Sequence, residues 1–329
     1  MEATELETCH EDGIHTDCRS AGSGTHCARL PALALALLSV LLSASAEPTR
    51  IVAIGDLRGS TTIEYVNTNV LANIVTSILA LAPKPSAVIV HGDMIFSPVN
   101  IDQGYLQFTN IMDRLTTNDI PYYCAVGNHE VGGSDWYAKW QDAFDFPQNG
   151  PPQWQELVYY VDVGCMRIVA LDSVTGGTNW LGGLRSRIDG EQMTWLQSVI
   201  GANSPAVFDV MSSHIPAYSA SVAHANGCLD LWPVERDAFL QATVDARSTL
   251  YFAGHEHMFY RRNVDTRYNP NWTHTITHIV NCSGAPFHNE LITNTILPEI
   301  WNYSDYAFTV VDVDPDSGRG TATTYTEDG

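Results

Sequence analysis

Residues Ile51-Val52-Ala53-Ile54-Gly55-Asp56 set a pattern that runs through the chain: a short apolar run ends in a small residue and then in a side chain able to bind a metal. The pattern returns where Ala87 to Val90 leads into Gly92-Asp93 and where Tyr122 to Val126 leads into Gly127-Asn128-His129-Glu130. It returns again where Ala206 to Met211 leads into Ser213-His214 and Leu250 to Ala253 into Gly254-His255-Glu256-His257. Four to six apolar residues closed by a turn signal read as a buried strand. A ligand type just past its end falls at the carboxyl edge of the sheet, where open α/β sheets hold their sites. Such strands would aim Asp56, Asp93, Asn128, His214 and the pair His255 and His257 at one crevice. Each piece alone says little, since Gly-Asp after a strand is a common turn whose aspartate bonds nearby backbone. Their order, always after a strand, carries the weight.

Between these runs the apolar spacing turns helical. Ile63, Val66, Val70, Ile74 and Ile78 recur along one face until Pro83 and Pro85 stop the helix, and Tyr105, Phe108, Ile111, Met112 and Leu115 repeat the pattern. Further helices are expected near Glu191 to Ile200 and Val234 to Val244. Strand and helix alternate, the mark of an α/β fold with helices covering the sheet. Two hairpins interrupt the alternation: Val158 to Asp172 about Gly164, and Phe308 to Val313 with Thr321 to Tyr325. Antiparallel additions of this kind imply a mixed sheet, or two sheets packed face to face.

The chain has 329 residues, 45% of them apolar, and a formal charge of −21. One large domain over residues 47–329 is the expected organisation. The acidic balance argues against nucleic acid or an anionic membrane as main partner, because affinity for either rests on lysine and arginine. A small phosphorylated substrate would need local positive charge to enter against that field.

Residues 1–46 read as an atypical leader. A leucine- and alanine-rich run over about 30–46 ends Ala44-Ser45-Ala46, a cleavage signature after an apolar stretch of signal-peptide length, although the preceding segment is acidic. The run is short for a membrane span, so secretion is the expectation and an uncleaved amino-terminal signal anchor the alternative. Cleavage would leave Cys124, Cys165, Cys228 and Cys282, enough for two bridges, while Cys124 and Cys282 also read as plain buried thiols. Asn271-Trp272-Thr273, Asn281-Cys282-Ser283 and Asn302-Tyr303-Ser304 fit the N-glycosylation pattern and matter only in a secreted glycoprotein.

Taken together, Gly55-Asp56, Gly92-Asp93, Gly127-Asn128-His129-Glu130, His214 and Gly254-His255-Glu256-His257 resemble the ordered motifs of the calcineurin-like metallophosphoesterase superfamily. The run Gly254 to Arg261 resembles its purple acid phosphatase branch. The resemblance implies a four-layer α/β/β/α sandwich of two mixed sheets, with a dinuclear metal site at the strand carboxyl ends. It implies two metal ions bridged by Asp93, one also held by Asp56 and His257 and the other by Asn128, His214 and His255. Mixed carboxylate, amide and imidazole donors suit iron, manganese or zinc. His129 matches the histidine that binds phosphate or protonates the leaving alcohol, and Glu130 would orient it. The implied activity is hydrolysis of phosphate esters by a metal-bound hydroxide.

Two positions depart from the family pattern. Arg58 stands where the superfamily commonly has a ligand histidine, and Phe96 where purple acid phosphatases have a tyrosine ligand. Arg58 either grips the substrate phosphate and adds positive charge to the site, or pairs with a surface carboxylate. His224, Tyr218 and His288 read as solvent-exposed, with substrate contact as the alternative. The leading expectation is a secreted phosphomonoesterase of acid-phosphatase type. The alternatives are a phosphodiesterase or nucleotide pyrophosphatase on the same core, and a non-catalytic relative that binds phosphate or metal.

Overall fold

The computed structural model describes residues 4–6, 47–61, 63–175, 185–224, 227–288, 291, 296–302 and 304–327. The leader's apolar run over 30–46 lies outside them. Among the described residues no helix is long and apolar enough to cross a membrane.

Strand β2 (Thr49–Ile54) shows how one sequence run serves two layers. Side chains alternate across a strand, so Ile51 and Ala53 face one way and Val52 and Ile54 the other. Ile51 and Ala53 join Ala87, Ile89, Ile168, Val210, Leu250, Phe252, Ile279 and Val311 in one apolar cluster. Val52 and Ile54 join a second cluster with the helical side chains Leu71, Ile74, Ile78, Phe108 and Met112. A strand buried on both faces has no polar phase, and for that reason these runs are continuously apolar.

Strands β3 (Ala87–Val90) and β4 (Tyr122–Cys124) lie parallel to β2 in the first sheet. On its other side β12 (Ala307–Val313) runs antiparallel to β2, and β13 (Gly320–Thr326) forms the expected carboxyl-terminal hairpin with β12. A short β1 (Thr4–Leu6) pairs antiparallel with β13, giving the order β1-β13-β12-β2-β3-β4.

The second sheet contains β5 (Tyr159–Val163), β6 (Met166–Ala170), β7 (Phe208–Ser212), β8 (Leu250–Ala253), β9 (Phe259–Val264), β10 (Ile276–Val280) and β11 (Ile300–Asn302). Its order is β11-β9-β10-β8-β7-β6-β5. Parallel pairing links β6, β7, β8 and β10, and the expected hairpin about Gly164 is β5 and β6. Both sheets are therefore mixed.

Helices α1 (Thr68–Leu79) and α2 (Ile101–Thr116) connect the parallel strands of the first sheet. Helix α1 buries Val70, Leu71, Ile74, Val75 and Ile78, one stripe at helical spacing. Ile63, which the same spacing would enlist, precedes the helix and is 85% exposed. Phe108 of α2 meets Tyr122 of β4 edge to face at 5.7 Å. In the second sheet, α4 (Gly190–Val199) and α5 (Pro233–Asp245) play the same part, and Phe239 of α5 packs edge to face on Tyr251 of β8 at 5.2 Å. A further helix, α3 (Trp136–Ala143), buries Trp136 and Trp140 after β4.

The segment after β10 joins the two sheets. Asn281 donates from Nδ2 to the Ala53 carbonyl at 3.2 Å and accepts from the Thr309 hydroxyl at 3.0 Å. Ser283 and Ala285 donate their N–H groups to the carbonyls of Gly55 and Asp56. Asn281 is fully buried by these contacts, so this acceptor sequence offers no side chain for glycosylation in the folded chain. Cys124, Cys165, Cys228 and Cys282 are all free thiols, and the two bridges that their number would allow do not form.

Candidate metal centre

Each strand ends two to four residues before its ligand, and there the chain turns sharply. Asp56, Asp93, His255 and His257 adopt positive φ of 51°, 52°, 75° and 51°. Left-handed backbone is uncommon for residues other than glycine, and here it falls at four of the ligand positions. Gly127 is required by crowding, because a Cβ there would run into the backbone nitrogen and carboxylate of Asp93. The first sheet thus delivers Asp56, Asp93 and Asn128, and the second delivers His214, His255 and His257.

The donors converge. Asn128 Oδ1 lies 2.9 Å from His214 Nε2 and 2.9 Å from His255 Nδ1, and Asp93 Oδ1 lies 3.3 Å from His214 Nε2. Asp56, Asp93 and His257 bring one ligand atom each within 4.8 Å of one another. Asp56 Oδ1 accepts the His255 N–H at 2.9 Å, while Asp56 Oδ2 is buried without a partner.

The tautomer of His214 tests whether an ion fits here. Nδ1 faces the His91 carbonyl at 2.8 Å, which only accepts, so Nδ1 carries the hydrogen and Nε2 a lone pair. That lone pair points at two acceptor oxygens, an arrangement that repels unless a cation or proton lies among them. Burial disfavours the proton by lowering the His214 pKa. Burial also holds His255 well below the ordinary histidine range and pushes His257 down to about 2, keeping their nitrogens free to ligate. Buried lone pairs, an orphaned carboxylate oxygen and mixed oxygen and nitrogen donors fit a hard or borderline divalent or trivalent ion.

His129 stands at the edge of this set, its side chain 26% exposed. Its Nδ1 is held by the Phe96 carbonyl, which turns Nε2 towards Asp93 Oδ2 at 3.8 Å. Glu130 does not perform the orienting task expected of it. Its carboxylate is fully buried and accepts the N–H groups of Asp93, Met94, Ile95 and Gly127 at 2.7 to 3.2 Å. Glu130 therefore shapes the turn that carries Asp93, and burial, with the Asp93 charge adding, pushes its pKa up to about 8. Glu256 has a similar part in the second sheet, accepting from the Ser219 hydroxyl and from the N–H groups of Ala220 and Ser221.

Arg58 finds no surface carboxylate. Its side chain is 12% exposed, with Nε 3.9 Å from Asp93 Oδ2 and Nη2 3.4 Å from His257 Nε2. Its guanidinium carbon lies 5.6 Å from the centre of the Phe96 ring. His224 and His288 are also drawn inward. The His224 ring lies 4.5 Å from His255 and 4.9 Å from His288, and His288 stacks on His257 at 4.8 Å. His224, His257 and His288 form a second close set of nitrogen donors. Nothing but position after His214 marked His224 in the sequence, and its place at the site comes from the loop that Glu256 anchors. Tyr218 lies instead against Tyr268 at 4.5 Å and beneath Arg236.

Two mixed sheets between helical layers, with oxygen and nitrogen donors gathered at the strand carboxyl ends, define a metallohydrolase-type scaffold. The chain belongs to the calcineurin-like phosphoesterase family, whose model matches residues 49–259. Comparison with curated protein sequences gives no match. Among solved structures, the chain is similar to a purple acid phosphatase from yellow lupin (Lupinus luteus) seeds, with 18% identity and a TM-score of 0.63. That match covers 85% of this chain and 54% of the lupin enzyme, so the chain spans about half the length of that relative. It is also similar to GAP50, described as the anchor in the inner membrane complex of Plasmodium, with 13% identity, a TM-score of 0.56 and 85% of both chains covered.

Proposed function

We propose that this protein is a metal-dependent phosphoesterase acting on small phosphate monoesters, in the manner of an acid phosphatase, and that it is secreted. The observation that carries the reading is the buried His214 Nε2 lone pair facing Asn128 Oδ1 and Asp93 Oδ1, an arrangement that calls for a cation. A sandwich of this kind occurs both in a phosphatase and in a protein described as an anchor, so the fold leaves function open and the donor set has to decide it.

Asp93, Asn128, His214 and His255 would hold one ion, and Asp56, Asp93 and His257 offer donors for a second. Metal bound there would supply a hydroxide nucleophile and neutralise charge on the phosphoryl oxygens. The chain's own part is positioning and proton transfer. Arg58 places a fixed positive charge beside Asp93, where a dianionic substrate needs it against the overall charge of −21. His129 keeps its hydrogen-bearing Nδ1 on the Phe96 carbonyl, so Nε2 is the atom that can carry a proton to the departing alcohol oxygen. Monoesters are favoured because Arg58 places a fixed positive charge, and His129 a proton donor, beside Asp93, suited to the extra charge of a terminal phosphate.

The test is hydrolysis of an aryl phosphomonoester beside the matching diester, with added manganese, zinc or iron. Faster monoester turnover that vanishes on chelation is expected. Preference for the diester would overturn the substrate assignment, and no turnover by a metal-loaded chain would support the binding-protein alternative.

A further inference from the structure

We propose that the Arg58 guanidinium stands in for one of the two metal ions, so that the native centre holds a single ion on Asp93, Asn128, His214 and His255. The inference rests on the metal-dependent reading above and concerns the position formed by Asp56, Asp93 and His257.

The two positions differ in what their histidine lone pairs meet. His214 Nε2 meets oxygens that cannot donate. His257 also has its Nδ1 on a carbonyl, that of Pro286 at 2.9 Å, so its Nε2 likewise carries a lone pair. This second lone pair, however, meets Nη2 of Arg58 at 3.4 Å, a permanent donor with a permanent charge. The same guanidinium lies 3.9 Å from Asp93 Oδ2, the oxygen left over after Oδ1 turns towards His214. A cation arriving between Asp93 and His257 would have to displace the Arg58 contact with His257 and approach a like charge at short range.

Phe96 makes the two departures from the family pattern one substitution. Its ring supplies no ligand and lies under the Arg58 guanidinium, where a cation is attracted to an aromatic face. Asp56 Oδ2 remains without a partner and is the atom that an incoming ion would take once Arg58 is gone.

The experiment counts metal on the full chain. Wild type, Arg58→Ala and Arg58→His are loaded with manganese, freed of excess by dialysis, and measured by mass spectrometry and electron paramagnetic resonance. One ion per chain with an isolated-ion spectrum is expected for wild type. Two ions, with a spectrum showing spin coupling through Asp93, are expected for the variants. Two ions in wild type would overturn the proposal while leaving the metal-dependent reading intact, and so would a count that stays at one in variants whose circular dichroism matches wild type. No bound ion in any of the three would sink the metal-dependent reading itself. The wild-type count decides the first point even if a variant misfolds.

Discussion

His214 Nε2 and Asp93 Oδ1 lie 3.3 Å apart although they come from different sheets, β7 supplying one and β3 the other. An ion between them would tie the sheets together and bind the folded chain alone. Ion present at about a hundred times its dissociation constant adds roughly 2.7 kcal/mol of stability. Thermal unfolding should therefore shift upward by about 4 to 5 °C on adding manganese or zinc and fall back with a chelator. A melting temperature indifferent to both would contradict the centre.

His214→Ala should abolish that shift. The substitution removes a buried donor and leaves Asn128 and Asp93 facing a void, and the variant's metal content should drop with its turnover. Retention of full metal content would show that His214 is not a ligand.

His129→Ala should separate binding from chemistry. The His129 side chain is partly exposed and approaches the donor set only at Asp93 Oδ2, 3.8 Å from its Nε2, so metal content should hold. Loss of a positioned proton donor typically costs about a hundredfold to ten-thousandfold in rate. The loss should be smaller on an ester whose leaving group needs no proton, such as a nitrophenyl ester, than on an alkyl ester. An equal loss on both would mean that His129 acts on the phosphate and not on the departing oxygen.

Glu130→Ala should unfold or loosen the Asp93 turn. Buried N–H groups on Asp93, Met94, Ile95 and Gly127 would lose their acceptor, and each unpaired buried donor costs about 1 to 3 kcal/mol. Denaturant unfolding should show a loss of at least about 3 kcal/mol, with Glu130→Gln losing less because one oxygen remains to accept.

A pH dependence of stability should come from His278. Its ring is fully buried, stacked on Tyr251 at 4.7 Å with Tyr260 at its edge, and neither ring nitrogen has a partner. Burial, with the nearby Arg262 adding, lowers its pKa well below 6.5. The folded chain thus binds fewer protons here than the unfolded chain. The stability is fully present above pH 6.5 and is lost as pH falls below that value, by up to about 1.4 kcal/mol per unit for this one group. His278→Phe should flatten the decline between pH 6.5 and 5, and an unchanged slope would rule out this source.

Much of this was legible in the sequence, for a physical reason. Doubly buried strands leave continuous apolar runs, and ligands at their carboxyl ends leave Gly-Asp, Asn-His and His-Glu-His just beyond. β9 was hidden because Arg261-Arg262 makes it look polar, yet Arg262 is 1% exposed, its guanidinium between the Tyr218 and Tyr260 rings. Helix α3 was marked only by Trp136 and Trp140, four residues apart. The contacts of Glu130 and the inward place of His224 depend on loops whose course the local sequence does not dictate. Arg58 could be seen to depart from the pattern, but its contact with His257 joins residues 199 apart in the chain.

Four of the donors, Asp56, Asp93, His255 and His257, sit in left-handed backbone where glycine would be at ease. Each non-glycine residue there costs about 1 to 2 kcal/mol. A chain drifting free of any task at this crevice would relieve that cost most freely by mutating His255 and His257 to glycine, since Asp56 and Asp93 also accept the N–H groups of His255 and His129, and it would lose those donors in the same steps. The surviving histidines are thus a load that the fold carries against its own thermodynamic interest. Stabilising libraries screened on folding alone should empty the centre first.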